Sequence, residues 1–72
     1  MRVTAEYTVT VNGEQRSFLP GTTLTNVVMA LGLAPERLAI ELNREIVRRP
    51  LWDTTTFEAG AEIEIVQFVG GG

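Results

Sequence analysis

Apolar and polar residues alternate from Thr4 to Val11. Ala5, Tyr7, Val9 and Val11 fall on one face, and Thr4, Glu6, Thr8 and Thr10 on the other. A period of two with β-branched residues predicts a strand. Asn12-Gly13 comes next, a pair that accepts the positive φ angles of a tight hairpin turn. Glu14 to Phe18 is then the returning strand. The period changes after "PGTTL", residues 20 to 24. Leu24, Val27, Val28 and Leu31 stand at i, i+3, i+4 and i+7, the apolar stripe of a helix. Thr22 or Thr23 can cap it by accepting a backbone N–H, and Gly32 can end it in a left-handed conformation. The expected helix has about three turns, too short to stand alone in water, so it must pack on the sheet.

"APERL" predicts a short connector with one irregular turn. Alternation returns from Leu38 to Asn43, with Leu38, Ile40 and Leu42 on one face. Asn43-Arg44 marks a turn, Glu45 to Arg48 a short strand, and Pro50 its break. Trp52 and Phe57 are expected to plug the end of the core. Ala59-Gly60 turns the chain into a last strand, Ala61 to Val69. The order ββαβββ predicts an α+β fold: a mixed sheet with one main helix covering one face.

The last strand departs from simple alternation of core and solvent. Ala61, Ile63, Ile65, Gln67 and Val69 share one face, which Ile63 and Ile65 mark as core. Glu62 and Glu64 mark the other face as solvent, yet that face ends in Val66 and Phe68. Isolated surface apolar residues are common. A pair on an uncovered sheet face also fits a docking patch for a partner. Gly70, Gly71 and Gly72 follow directly. Three extended glycines span roughly 10 Å, tolerate any φ a narrow channel imposes, and leave the terminal carbonyl carbon sterically open. Such an end suits acyl-carrier chemistry, in which the carboxylate is activated by adenylation in another protein. A glycine tail taken alone also fits a plain linker.

Composition narrows the function. The 72 residues allow one domain, which buries only about 60% of the surface of its unfolded chain. Residues 1–69 are expected to form the domain and 70–72 a flexible glycine tail. The chain has no cysteine and no histidine. Disulfides, thiolate-held metals and the usual general base are therefore excluded, and no nucleophile–base set suggests an enzyme. Nine acids against six arginines give a net charge of −3, which argues against nucleic acid as a partner. No apolar run is long enough for a membrane span, and Met1 does not begin a signal-type segment. The expected location is the cytoplasm. Arg44, Arg48 and Arg49 surround the fourth strand and fit a solvated edge that discourages strand pairing, or contact with an acidic partner surface. Glu62 and Glu64 fit solvated or partner-facing positions better than a catalytic pair.

Three stretches together resemble the ThiS-type sulfur carrier proteins of thiamine biosynthesis, within the ubiquitin-like β-grasp families. They are "NGE" with "PGTTL", "LAIELNREIVRRPLW", and "AGAEIEIVQFVGGG". The similarity runs along nearly the whole chain, although the segment Met1 to Glu6 looks longer than is usual in the family. The resemblance implies a β-grasp fold and a carrier with no bound cofactor and no metal. An E1-like adenylating enzyme would use ATP to activate the Gly72 carboxylate. A cysteine desulfurase system would supply the sulfur of a thiocarboxylate, and a thiazole synthase would take that sulfur. Gly70, Gly71 and Gly72 would enter the partner's active site, with Val66 and Phe68 as the docking patch. A sister carrier for molybdopterin or tRNA thiolation, and a β-grasp binding module with an inert tail, remain open alternatives.

Overall fold

The computed structural model describes residues 5–68. Five strands form one mixed sheet: β1 (Tyr7–Val11), β2 (Glu14–Phe18), β3 (Leu38–Leu42), β4 (Glu45–Val47) and β5 (Glu62–Gln67), in the spatial order β2-β1-β5-β3-β4. A helix, α1 (Leu24–Ala30), crosses one face. Adjacent pairs are antiparallel except β1 with β5, which run parallel. This is the β-grasp arrangement, and it puts the last strand in the middle of the sheet. Among the described residues no helix is long and apolar enough to cross a membrane.

Alternation sorts the strands as their sequences predict. Val9, Val11, Leu38, Ile40, Ile63 and Ile65 point to the helix side and are buried. They meet Leu24, Val27 and Val28 of α1. Trp52 and Phe57 close the core, as expected. The indole Nε1–H of Trp52 donates to the Val47 carbonyl at 2.8 Å, so its one polar atom is satisfied inside the apolar body. Phe57 packs edge-on against Phe18, with ring centroids 5.9 Å apart.

Both ends of α1 are closed locally. Of the two candidate caps, Thr23 does the work. Its Oγ1 accepts from Asn26 N at 3.2 Å, while Asn26 Oδ1 accepts from Thr23 N at 3.1 Å. Thr22 instead donates to the Leu19 carbonyl. At the other end Gly32 takes φ +70°. Leu33 N–H then reaches Val28 O at 3.2 Å and Gly32 N–H reaches Met29 O at 3.0 Å, the pairing of a left-handed helix terminus. That terminus makes Leu31 the cap, so the helix has seven residues and about two turns rather than three.

Other limits shift for similar reasons. β1 begins at Tyr7, which pairs with Phe18, the last residue of β2. Ala5 lies before that point, has no strand partner, and is exposed instead of sharing the core face. "APERL" contains a 3-10 turn, Pro35–Arg37, and a second one, Arg49–Leu51, follows β4 at Pro50. β5 ends at Gln67, short of the expected Val69, which lies outside the described residues. Phe68 still donates its N–H to the Arg37 carbonyl at 2.8 Å.

Candidate functional site

β5 is the central strand, and the sheet holds it from both sides. On one side β3 pairs with it from Leu42↔Ile63 to Leu38↔Gln67. On the other side β1 supplies Thr10 N–H to Ala61 O at 3.0 Å and Asn12 N–H to Ile63 O at 2.8 Å. There β1 turns away. The Asn12 side chain then continues the ladder: Oδ1 accepts Ile65 N–H at 2.7 Å and Nδ2 donates to Ile65 O at 3.2 Å. Asn43 does the same at the start of β5. Its N–H donates to Glu62 O at 2.8 Å and its Oδ1 accepts Glu62 N–H at 2.9 Å. Both asparagines have φ +52°, the left-handed turn conformation that asparagine tolerates better than most residues. Their roles on β5 are not evident in the sequence, where each is only a turn signal.

Val66 and Phe68 emerge on the face away from α1, each 54% exposed. Both therefore stand where the strand pattern puts them. The structure adds Ile46 to the same face. It pairs with Glu41 and is 72% exposed. The alternation Glu45-Ile46-Val47 carries the signal for this, since Val47 packs against the core. Glu62 and Glu64 are exposed beside the patch. Arg44 Nε approaches Glu62 Oε1 at 3.8 Å. Arg48 and Arg49 are exposed around β4, an edge strand, as a solvated edge requires. Gly70, Gly71 and Gly72 lie outside the described residues.

Among the described residues no group of three or more acidic, histidine or cysteine side chains could hold a metal ion. A cleft of about 390 Å³, lined in part by Leu42, Asn43, Phe57 and Gly60, opens at the start of β5, the opposite end from Phe68.

A mixed sheet in this order with one helix on one face is a ubiquitin-like β-grasp domain. The particular family follows from comparison. The ThiS family model matches residues 9–72, and the chain belongs to the ThiS family. The crystal structure of thiamine biosynthesis protein ThiS from Geobacter metallireducens superposes with a TM-score of 0.72 at 35% identity, covering 90% of this chain and 99% of that one. A thiazole synthase from Magnetococcus marinus is 40% identical over 62 residues, which is 86% of this chain. One from Paramagnetospirillum magneticum is 36% identical over 62 residues, also 86% of this chain. The chain spans 19% of the length of each of these curated relatives.

Proposed function

We propose that this chain is a sulfur carrier of thiamine biosynthesis that works through a terminal carboxylate at Gly72. In this reading an E1-like adenylating enzyme brings the carboxylate to the α-phosphate of ATP. Pyrophosphate leaves and an acyl adenylate forms. A persulfide sulfur, supplied by a cysteine desulfurase system, attacks the acyl carbon and displaces AMP. A thiol then cleaves the resulting acyl disulfide, leaving the thiocarboxylate. A thiazole synthase accepts that sulfur. The carrier contributes no acid, base or nucleophile besides its own terminus; its task is to dock and to present that terminus. A cytoplasmic location fits the need for ATP.

The observation that carries the reading is the placement of β5. The central, doubly bonded strand of the sheet leads in sequence straight into Gly70, Gly71 and Gly72. Val66 and Phe68 stand exposed at its end to engage the enzyme that receives them. Membership of the ThiS family supports sulfur as the cargo. The names of the two curated relatives support a thiazole synthase as acceptor.

The test is intact mass spectrometry of the protein after incubation with ATP, a persulfide donor and the adenylating enzyme of its host. The expected product carries one sulfur in place of oxygen, alkylatable and localised to Gly72. A carrier that keeps an unmodified carboxylate under these conditions would reject the proposal.

A further inference from the structure

The amide that bridges β1 and β5 also carries a latent chemistry. Asn12 precedes Gly13 in the turn between β1 and β2, and both are exposed. An asparagine side-chain amide is a weak acyl electrophile, and the backbone nitrogen of the following residue is the nucleophile nearest to it in sequence. Glycine hinders that nitrogen least, because it has no β-carbon. The space around Gly13 is open as well: nothing lies within 4 Å of the position a β-carbon would take.

The other two asparagines of the chain, Asn26 and Asn43, lack this combination. Asn26 lies in α1, and the N–H of Val27 that follows it donates to Thr23 O at 3.1 Å. Asn43 is a close match in geometry, with the same φ of +52° and a positive φ at the next residue. That next residue is Arg44, whose β-carbon crowds the nitrogen. The two tight turns therefore differ at the position that decides reactivity.

In the folded domain the Asn12 amide is not free to react. Oδ1 accepts Ile65 N–H at 2.7 Å and Nδ2 donates to Ile65 O at 3.2 Å. Turning the amide carbon toward the Gly13 nitrogen breaks both bonds.

We propose that Asn12-Gly13 is a deamidation site held closed by Ile65 of β5. When the bridge opens, the Gly13 nitrogen loses its proton and attacks Asn12 Cγ. The new C–N bond closes a cyclic imide, the Cγ–Nδ2 bond breaks, and ammonia leaves. Water then opens the ring at one carbonyl or the other, giving aspartate or isoaspartate. Neither product restores the bridge. An aspartate carboxylate has acceptors only, so one oxygen still takes Ile65 N–H while the other faces the Ile65 carbonyl with no proton between them. Isoaspartate lengthens the backbone of the turn. Loss of ammonia makes the change one-way, and it loosens the central strand at Ile65. The site is independent of the sulfur-carrier role.

The experiment ages the full chain in mildly alkaline buffer, folded and in concentrated urea, and follows deamidation by peptide mapping as a gain of about 1 Da per site. In urea Asn12 should react well ahead of Asn26 and Asn43. In the folded chain Asn12 should react roughly tenfold more slowly than in urea, because two hydrogen bonds must open first. Hydrogen exchange of the Ile65 amide reads the opening of the same bridge, since its N–H is bound to Asn12 Oδ1. Below the unfolding midpoint, added urea should raise both rates in parallel. Asn12→Asp, which is the simpler of the two products, should melt about 4–8 °C below the unmodified chain. Equal rates at Asn12 and Asn43 in urea would remove the site. Equal rates at Asn12 in folded and unfolded chains, or a deamidation rate that stays flat while Ile65 exchange climbs, would remove the part assigned to Ile65. An unchanged melting temperature for Asn12→Asp would overturn the loosening of β5.

Discussion

The side-chain amide of Asn12 binds the backbone of Ile65 at both of its polar groups, at 2.7 Å to the N–H and 3.2 Å to the carbonyl. It stands in for the peptide unit that β1 no longer offers once the chain turns at Gly13. β5 thereby keeps a hydrogen-bonding neighbour on that side as far as Ile65.

Asn12→Gly tests this contribution: it removes the amide, and glycine accepts the φ of the turn at least as well as asparagine. The variant should lose about 1–2 kcal/mol of stability in denaturant titration. The Ile65 amide should exchange with solvent faster, while amides of α1 follow the global change alone. An unaltered Ile65 exchange rate would show that the bridge contributes nothing in solution.

Arg44 has φ +71° without being glycine. A left-handed conformation costs a residue with a β-carbon roughly 1–2 kcal/mol. Its ion pair with Glu62, at 3.8 Å and well exposed on both sides, offsets little of that. Arg44→Gly should therefore raise the melting temperature. A fall would mean that the ion pair outweighs the backbone strain.

Phe68→Ala removes an exposed ring. Its thermal stability should change little, as for most surface substitutions. Its affinity for the adenylating enzyme should fall, with up to roughly 1.5–3 kcal/mol of apolar burial at stake. Surface plasmon resonance beside a melting curve separates the two effects. A large stability loss with unchanged binding would assign Phe68 to the core instead.

Deleting Gly72 should abolish sulfur transfer to the acceptor and leave the circular dichroism spectrum and melting temperature unchanged. Retained transfer would move the reactive end elsewhere.

The strands and the helix are legible in the chain because alternation and the i, i+3, i+4 spacing are local signals. Val66 and Phe68 are legible for the same reason: parity along one strand decides their face. The rest depends on which strands lie side by side. Asn12 and Ile65 are 53 residues apart, and nothing near Asn12 announces that β5 will pass its turn in parallel. The pairing of Ile46 with Glu41 likewise requires the β3–β4 register. The length of α1 misleads because Leu31 fits the apolar stripe. The left-handed turn at Gly32, itself legible as a stop, makes Leu31 the cap and not a helical residue.

The central position of β5 also has a mechanical consequence. A partner that draws the tail into its active site pulls along the axis of β5, across hydrogen bonds to β1 on one side and β3 on the other. Such a load is shared by all of these bonds at once and cannot peel them off singly, as it could from an edge strand. In the carrier reading proposed above, the domain is gripped by its end, pulled into one enzyme and released to the next while its sheet stays whole.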